Sequence, residues 1–251
     1  MTPSRCLPFL ALLVATAARA QSDGTPAALD PVVVTATKRA ERSFDVPASI
    51  DIVDGATIRD GQPAVNISEP LVRVPGVFAA NRNNYAQDVQ ISSRGFGARA
   101  TFGVRGVRLY QDFIPVTMPD GQGQTGSFSL LSARSIEVLR GPFSTLYGNA
   151  SGGVIAVFTE DPSVTPAADA TLSLGSYTTY NAGVKASGTA SPVGYVVAAN
   201  HVETDGYRAH SAATRDVVNA KLVFAPREGM RVTVIGNSQH QPESQDPLGL
   251  T

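Results

Sequence analysis

The chain has 251 residues, 21 acidic against 20 basic, a formal net charge of −1, 43% apolar residues and a mean hydropathy of +0.00. Such a composition can bury a core and excludes gross disorder. The balanced charge excludes a dedicated nucleic-acid binder, so no nucleic-acid partner is expected.

In chain order, residues 1–20 combine a short cationic start at Arg5, the apolar run CLPFLALLVATAA and the small-x-small site Ala18-Arg19-Ala20. That is the anatomy of a cleaved secretory signal peptide. The apolar run is shorter than the roughly 20 residues a spanning helix needs. Cleavage would remove Cys6, the only cysteine, so disulfides and thiol chemistry are not expected in the exported chain. With no later apolar stretch of helical span, membrane insertion would have to use strands.

Residues 21–43 read as a flexible linker containing the β-prone run Val32, Val33, Val34, Thr35, Ala36. Two readings fit this run. It is an edge strand of the following domain, or a tethered strand offered to a partner by β-augmentation.

Residues 44–162 predict an α+β domain, a small mixed β-sheet with short helices and long loops. Ser49–Val53 alternates as a strand. Asp54 would cap a short helix ending at Gly61, and Ser68 would cap a second through EPLVRV. Further strands are expected at Asp88–Ser92, Val107–Tyr110, within SIEVLRG and in GGVIAVFTE, with a helical turn at Ser144–Tyr147. From residue 163 to 251 the texture changes to about five segments of some ten residues, separated alternately by short and longer breaks. Val218, Ala220, Leu222 and Phe224 would share one face, with Asn219, Lys221 and Val223 on the other. This alternation predicts strands of an antiparallel transmembrane β-barrel; a soluble β-sandwich would have shorter strands.

Searches for chemistry are largely negative. Gly95, Gly97 and Ala100 match a dinucleotide-binding spacing, but Gly103 and Gly106 fall where the required helix would run. His201, His210 and His240 lack metal-ligand spacing, and no nucleophile motif is present. No catalytic residue, metal or cofactor is therefore expected. What remains is three polar loops, carrying Arg82, Asn83, Asn84 and Tyr85; then Arg99, Phe102 and Arg105; then Asp120, Gln122 and Gln124. Loops held on a small sheet are where binding groups concentrate, and the arginine forks suit an anionic ligand.

DPVVVTAT, ISSRGFGAR, VRLYQDFIPVTMPDGQGQ and SIEVLRGPFSTLYGNASGGVIAVFTEDP, in this order and before barrel-like strands, resemble a TonB-dependent outer-membrane receptor. Among subfamilies, the siderophore and ferric-citrate-like receptors are the most similar. The resemblance implies an outer-membrane protein, not an enzyme, that takes up a small-molecule ligand such as a ferric siderophore or similar metal chelate. It implies a TonB box at about residues 31–37 that pairs with the periplasmic protein TonB through Val32 to Ala36. It implies a plug at 44–162 whose three loops form a ligand-binding apex, and a plug–barrel latch at Arg94, Glu137 and Arg140. Such barrels have about 22 strands, so 163–251 would supply only the first few. A shortened, soluble plug-like binding module in the periplasm, or a piece without transport activity, is the alternative.

Overall fold

The computed structural model describes residues 33–34, 41–42, 45–46, 48–80, 83–100, 103–118, 120–141, 144–148 and 150–247. The expected signal peptide, most of the linker, and Val32, Thr35, Ala36, Arg82 and Phe102 lie outside the described residues. Residues 32–251 form one compact unit.

The N-terminal half of that unit is built on a five-stranded mixed sheet. Its strands are β3 (Ser49–Asp54), β6 (Arg108–Gln111), β7 (Ile114–Pro115), β8 (Ala133–Arg140) and β9 (Val154–Thr159), in the order β3-β8-β9-β6-β7. All pairs are antiparallel except β6 with β9. β9 is covered on both faces and all six of its residues are buried, which explains its continuous apolar run VIAVFT. The core of Ile58, Leu71, Val104, Leu109, Ile136 and Ile155 packs on one side. Two short pairs flank the sheet: β1 (Val33–Val34) with β2 (Glu41–Arg42), and β4 (Val77–Ala80) with β5 (Gln90–Ser93).

Three short helices complete this half. In α1 (Gly55–Arg59), Asp54 is the expected cap and accepts a hydrogen bond from the Thr57 amide at 2.8 Å. α2 differs from expectation: it spans only Ser68–Leu71, and Ser68 lies inside it rather than at its cap. Glu69 reaches back to accept from the Val65 and Asn66 amides at 3.1 and 2.9 Å, which ties the chain entering the helix to its first turn. α3 (Ser144–Tyr147) is the single expected turn.

Glycine is required where α3 hands the chain to β9. Gly153 has φ +114°, and a Cβ there would collide with the Leu139 carbonyl on β8. Gly153→Ala is expected to destabilise this half by about 2–4 kcal/mol, a strain and clash cost readable as a lowered unfolding midpoint in urea. An unchanged midpoint would contradict the close approach of these two strands.

The C-terminal half is an antiparallel meander: β10 (Ala167–Leu174), β11 (Tyr180–Ala190), β12 (Val193–Thr204), β13 (Ala213–Arg227) and β14 (Met230–Ser244). The last four strands have 11, 12, 15 and 15 residues, enough for tilted membrane strands of roughly 9–11 residues. Turns of two residues, 191–192 and 228–229, alternate with longer loops at 175–179 and 205–212, an alternation of the kind membrane barrels show. The two faces divide as the alternation in β13 predicts. Val218, Leu222 and Phe224 are exposed outward, whereas Arg215, Val217, Asn219 and Lys221 are buried against the mixed-sheet half. Toward the longer loops the outward face turns polar. There His201 Nδ1 lies 2.6 Å from Asp216 Oδ1, and the Tyr180 hydroxyl donates to Glu203 at 2.5 Å. Among the described residues the sheet is not closed, and no helix is long and apolar enough to cross a membrane.

Candidate functional site

The first polar loop is fastened to the end of β14 and to Asp246 just beyond it, and the second and third loops are fastened to each other. Asn84 is buried; its Oδ1 accepts from the Ala86 amide at 3.0 Å and its amide donates to Asp246 at 2.7 Å. Gln87 donates to the second Asp246 oxygen at 3.0 Å, and Gln241 of β14 donates to the Tyr85 carbonyl at 2.8 Å. The second and third loops are clipped by Arg105, which donates to Asp120 Oδ2 at 2.9 Å and to Gln122 at 3.4 Å. Val104 and Gly123 exchange both backbone hydrogen bonds at 2.8 Å.

The first and third loops and β14 line a cleft of about 650 Å³. Tyr85, Asp88, Gln124 and Thr125 line it together with Gln239 and Gln241 of β14. Asn83 lines a second cavity of about 600 Å³ toward β10 and β11, and Tyr85 borders both. Asn84, Arg105, Asp120 and Gln122 brace the walls without lining the first cleft, and Arg99 is exposed outside it. Burial pushes the Tyr85 hydroxyl above its usual pKa, and burial likewise raises the carboxyls of Asp88 and Glu69.

The three latch candidates do not meet at one point. Arg94, with left-handed backbone at φ 50°, donates its amide to the Gly76 carbonyl at 3.0 Å. Arg140 pairs with Asp51 on the neighbouring strand and donates to the Pro75 carbonyl at 2.8 Å. Both arginines thus gather around the Pro75–Gly76 turn. Glu137 is buried at 2% exposure within β8, and its charge is felt by Tyr147, whose hydroxyl burial pushes up to about 12.

The described polar contacts between the two halves come from other residues. At the end of β9, Glu160 accepts from Lys185 of β11 at 2.7 Å and pairs with Arg59 at 3.1 Å. Asp161 beside it accepts from Lys221 at 3.3 Å, Arg231 at 2.7 Å and Arg134 at 3.0 Å. Lys221 also donates to the Thr159 carbonyl at 3.2 Å and lies 3.8 Å from Asp112. Further along, Ser132 donates to Asn219 at 2.9 Å and Asn237 donates to Gln111 at 3.2 Å. Arg215 reaches inward to the Gly126 carbonyl, and Asn181 to that of Pro63. The signal for this seam was present in the sequence as charged and amide residues on one alternating face of a strand, as in Arg215, Asn219 and Lys221.

Partial burial raises the Asp161 carboxyl, but Lys221, Arg231 and Arg134 outweigh it and hold the pKa below 3.8. A depressed folded-state pKa gives stability that is complete above the unfolded value and is lost as pH falls through the folded one. The seam is therefore expected to loosen below about pH 4. Asp161→Asn should flatten that acid-side loss in unfolding measured across pH; an identical profile in the variant would contradict the assignment.

A small mixed sheet seated against the inward face of five long antiparallel strands is the arrangement of a plug domain followed by strands of a barrel that is not closed among the described residues. Residues 42–154 match the TonB-dependent Receptor Plug Domain family. It is 36% identical over 139 residues to the pesticin receptor of Yersinia pestis, covering 54% of this chain and 19% of that protein. It is 32% identical over 159 residues to the hemin receptor of the same organism, covering 62% and 22%. Its fold superposes on the pyoverdine outer membrane receptor of Pseudomonas aeruginosa PAO1, bound to pyoverdine, with a TM-score of 0.71 at 19% identity, covering 83% of this chain and 30% of that one. The chain thus spans about a fifth of the length of these curated relatives, which are receptors rather than enzymes.

Proposed function

We propose that the receptor carrying this chain performs TonB-dependent uptake of an iron chelate, such as a ferric siderophore, across the bacterial outer membrane. The observation that carries this reading is the polar cleft of about 650 Å³ between the plug loops and β14. A cleft of that size suits a drug-sized ligand. Its walls come from two halves joined by hydrogen bonds and ion pairs rather than by one fused core, a seam that can separate locally without unfolding either half. The relatives named for hemin and pyoverdine support a chelate as cargo. In this proposal Tyr85 and Gln124 touch the ligand, Asn83, Asn84, Arg99, Arg105, Asp120 and Gln122 shape the apex with Arg82 and Phe102, and Arg94, Glu137 and Arg140 hold the plug. Export would follow signal-peptide cleavage, and Val32 to Ala36 would engage TonB. The domain limits proposed are 1–20, 21–43, 44–162 and 163–251.

The test is accumulation of radioiron supplied as a ferric chelate by cells expressing the receptor. Accumulation should require both TonB and the proton-motive force, while surface binding persists without either. Uptake that is unchanged in cells lacking TonB would overturn the proposal.

A further inference from the structure

We infer that Arg215, at the point where β13 and β14 lose register, is the positioning residue that holds the first and third loops in the arrangement they present to the ligand. That these loops face a ligand rests on the uptake reading above; the contacts of Arg215 do not. Thr214 pairs with Glu243 and Asp216 with His240, so Arg215 alone stands opposite two residues, Gln241 and Pro242. Pro242 has no N–H for the ladder, and an extra residue of this kind re-aims the side chains beside it. Both strands reach the loops from this irregularity. Arg215 is buried and donates to the Gly126 carbonyl in the third loop, while Gln241 donates to the Tyr85 carbonyl in the first at 2.8 Å.

The charge of Arg215 reaches further than its hydrogen bond. It acts on Tyr85 and Asp88, which line the cleft, and on Glu69 of α2. Asp88 accepts from the Thr125 amide, which ties the first loop to the third. Glu69, with Tyr85 as its titratable neighbour, accepts from the Val65 and Asn66 amides. Burial raises both carboxyls, and among the described residues Arg215 is the cation that opposes the rise. Arg215 Nε and Glu69 Oε2 are buried with no hydrogen-bond partner among the described residues, so this pair is coupled by charge rather than by contact. Two partly buried carboxylates thus share one guanidinium. Removing it leaves both without their counter-charge and the Gly126 carbonyl without its donor, so the two loops lose a common tie to the strands.

Hydrogen exchange of the full-length receptor in detergent micelles, read by mass spectrometry, tests this without any ligand. In Arg215→Met, the amides of residues 84–88 and 123–127 are expected to exchange at least about tenfold faster than in the parent at about pH 7, while those of β9 keep their protection. In that variant the two carboxyls rise further, and a raised carboxyl contributes stability at low pH that is lost as pH rises through the folded value. The ratio of variant to parent rates should therefore fall when both are measured at about pH 5. Arg215→Lys keeps the charge and a donor and should restore most of the protection. Arg215→Met combined with Glu69→Gln leaves one carboxylate fewer without a counter-charge. It should show the same loosening of the loops with a smaller change across pH, and it serves where the single variant does not insert. Loop exchange equal to the parent's, or loosening that extends equally to β9, overturns the positioning role. A rate ratio that does not change with pH, or a lysine no better than methionine, overturns the part assigned to charge. Each of these results leaves the uptake reading standing, just as TonB-independent uptake would overturn that reading without touching Arg215.

Discussion

Replacing Val33 with proline is expected to reduce energised uptake at least about tenfold while leaving ligand binding at the cell surface unchanged. Proline removes a backbone N–H and so deletes a ladder hydrogen bond wherever the segment pairs as a strand. One such bond contributes about 1 kcal/mol net, and neighbouring bonds are lost with it when the register breaks. The backbone of Val33–Val34 is strand-like and pairs antiparallel with Glu41–Arg42, Val33 opposite Arg42 and Val34 opposite Glu41. The backbone of these two residues therefore already has the conformation an added strand needs, and among the described residues it is held by two residue pairs. A TonB strand would pair along its free edge or displace residues 41–42. Full uptake by Val33→Pro would contradict this assignment; lost surface binding would show that the substitution damages the plug instead.

Lys221→Met is expected to destabilise the joined halves by about 2–4 kcal/mol. The ammonium is buried at 7% side-chain exposure, and Asp112, also buried, lies within 3.8 Å of it. Removing one partner of a buried ion pair costs several kcal/mol because the other charge stays behind. Asp112 would keep its hydrogen bonds from the Thr159 amide and hydroxyl at 3.0 and 2.8 Å, which keeps the loss near the lower part of that range. Arg231→Met touches the same Asp161 from an exposed position and should change stability by less than about 1 kcal/mol. Urea unfolding of both variants decides the matter. Equal effects would mean that the seam is held by general packing rather than by the buried ammonium.

Much of this architecture was legible before any coordinates. The runs SIDIV and VIAVFT, the Asp54 cap and the period-two faces of β13 are local signals, and they appear where local physics puts them. α2 was misjudged at its start because Glu69 reaches backward from inside the helix, a contact that spacing alone does not reveal. The candidate site was legible only as loops. Which loop residues line the cleft depends on pairings distant in sequence, such as Gln241 with Tyr85 and Asp246 with Asn84. Arg105 looked like a free anion ligand from its neighbours and is clipped to Asp120, fifteen positions away. The joint between the halves was the least visible part. It is assembled from single residues, Lys185, Arg215, Asn219 and Lys221, each unremarkable until its strand face is known to turn inward.

Cysteine cross-linking at the proposed TonB box tests the central claim most directly. Cys6 is the only cysteine in these 251 residues and lies in the segment read as the signal peptide, so Val33→Cys would introduce a new thiol into the mature part of this chain. Paired with a cysteine in TonB, it should form a disulfide-linked complex in intact cells whose yield rises when a ferric chelate that the receptor transports is added. A yield no higher than that of Val164→Cys, an exposed control position between the plug and β10, with or without the chelate, would contradict the account.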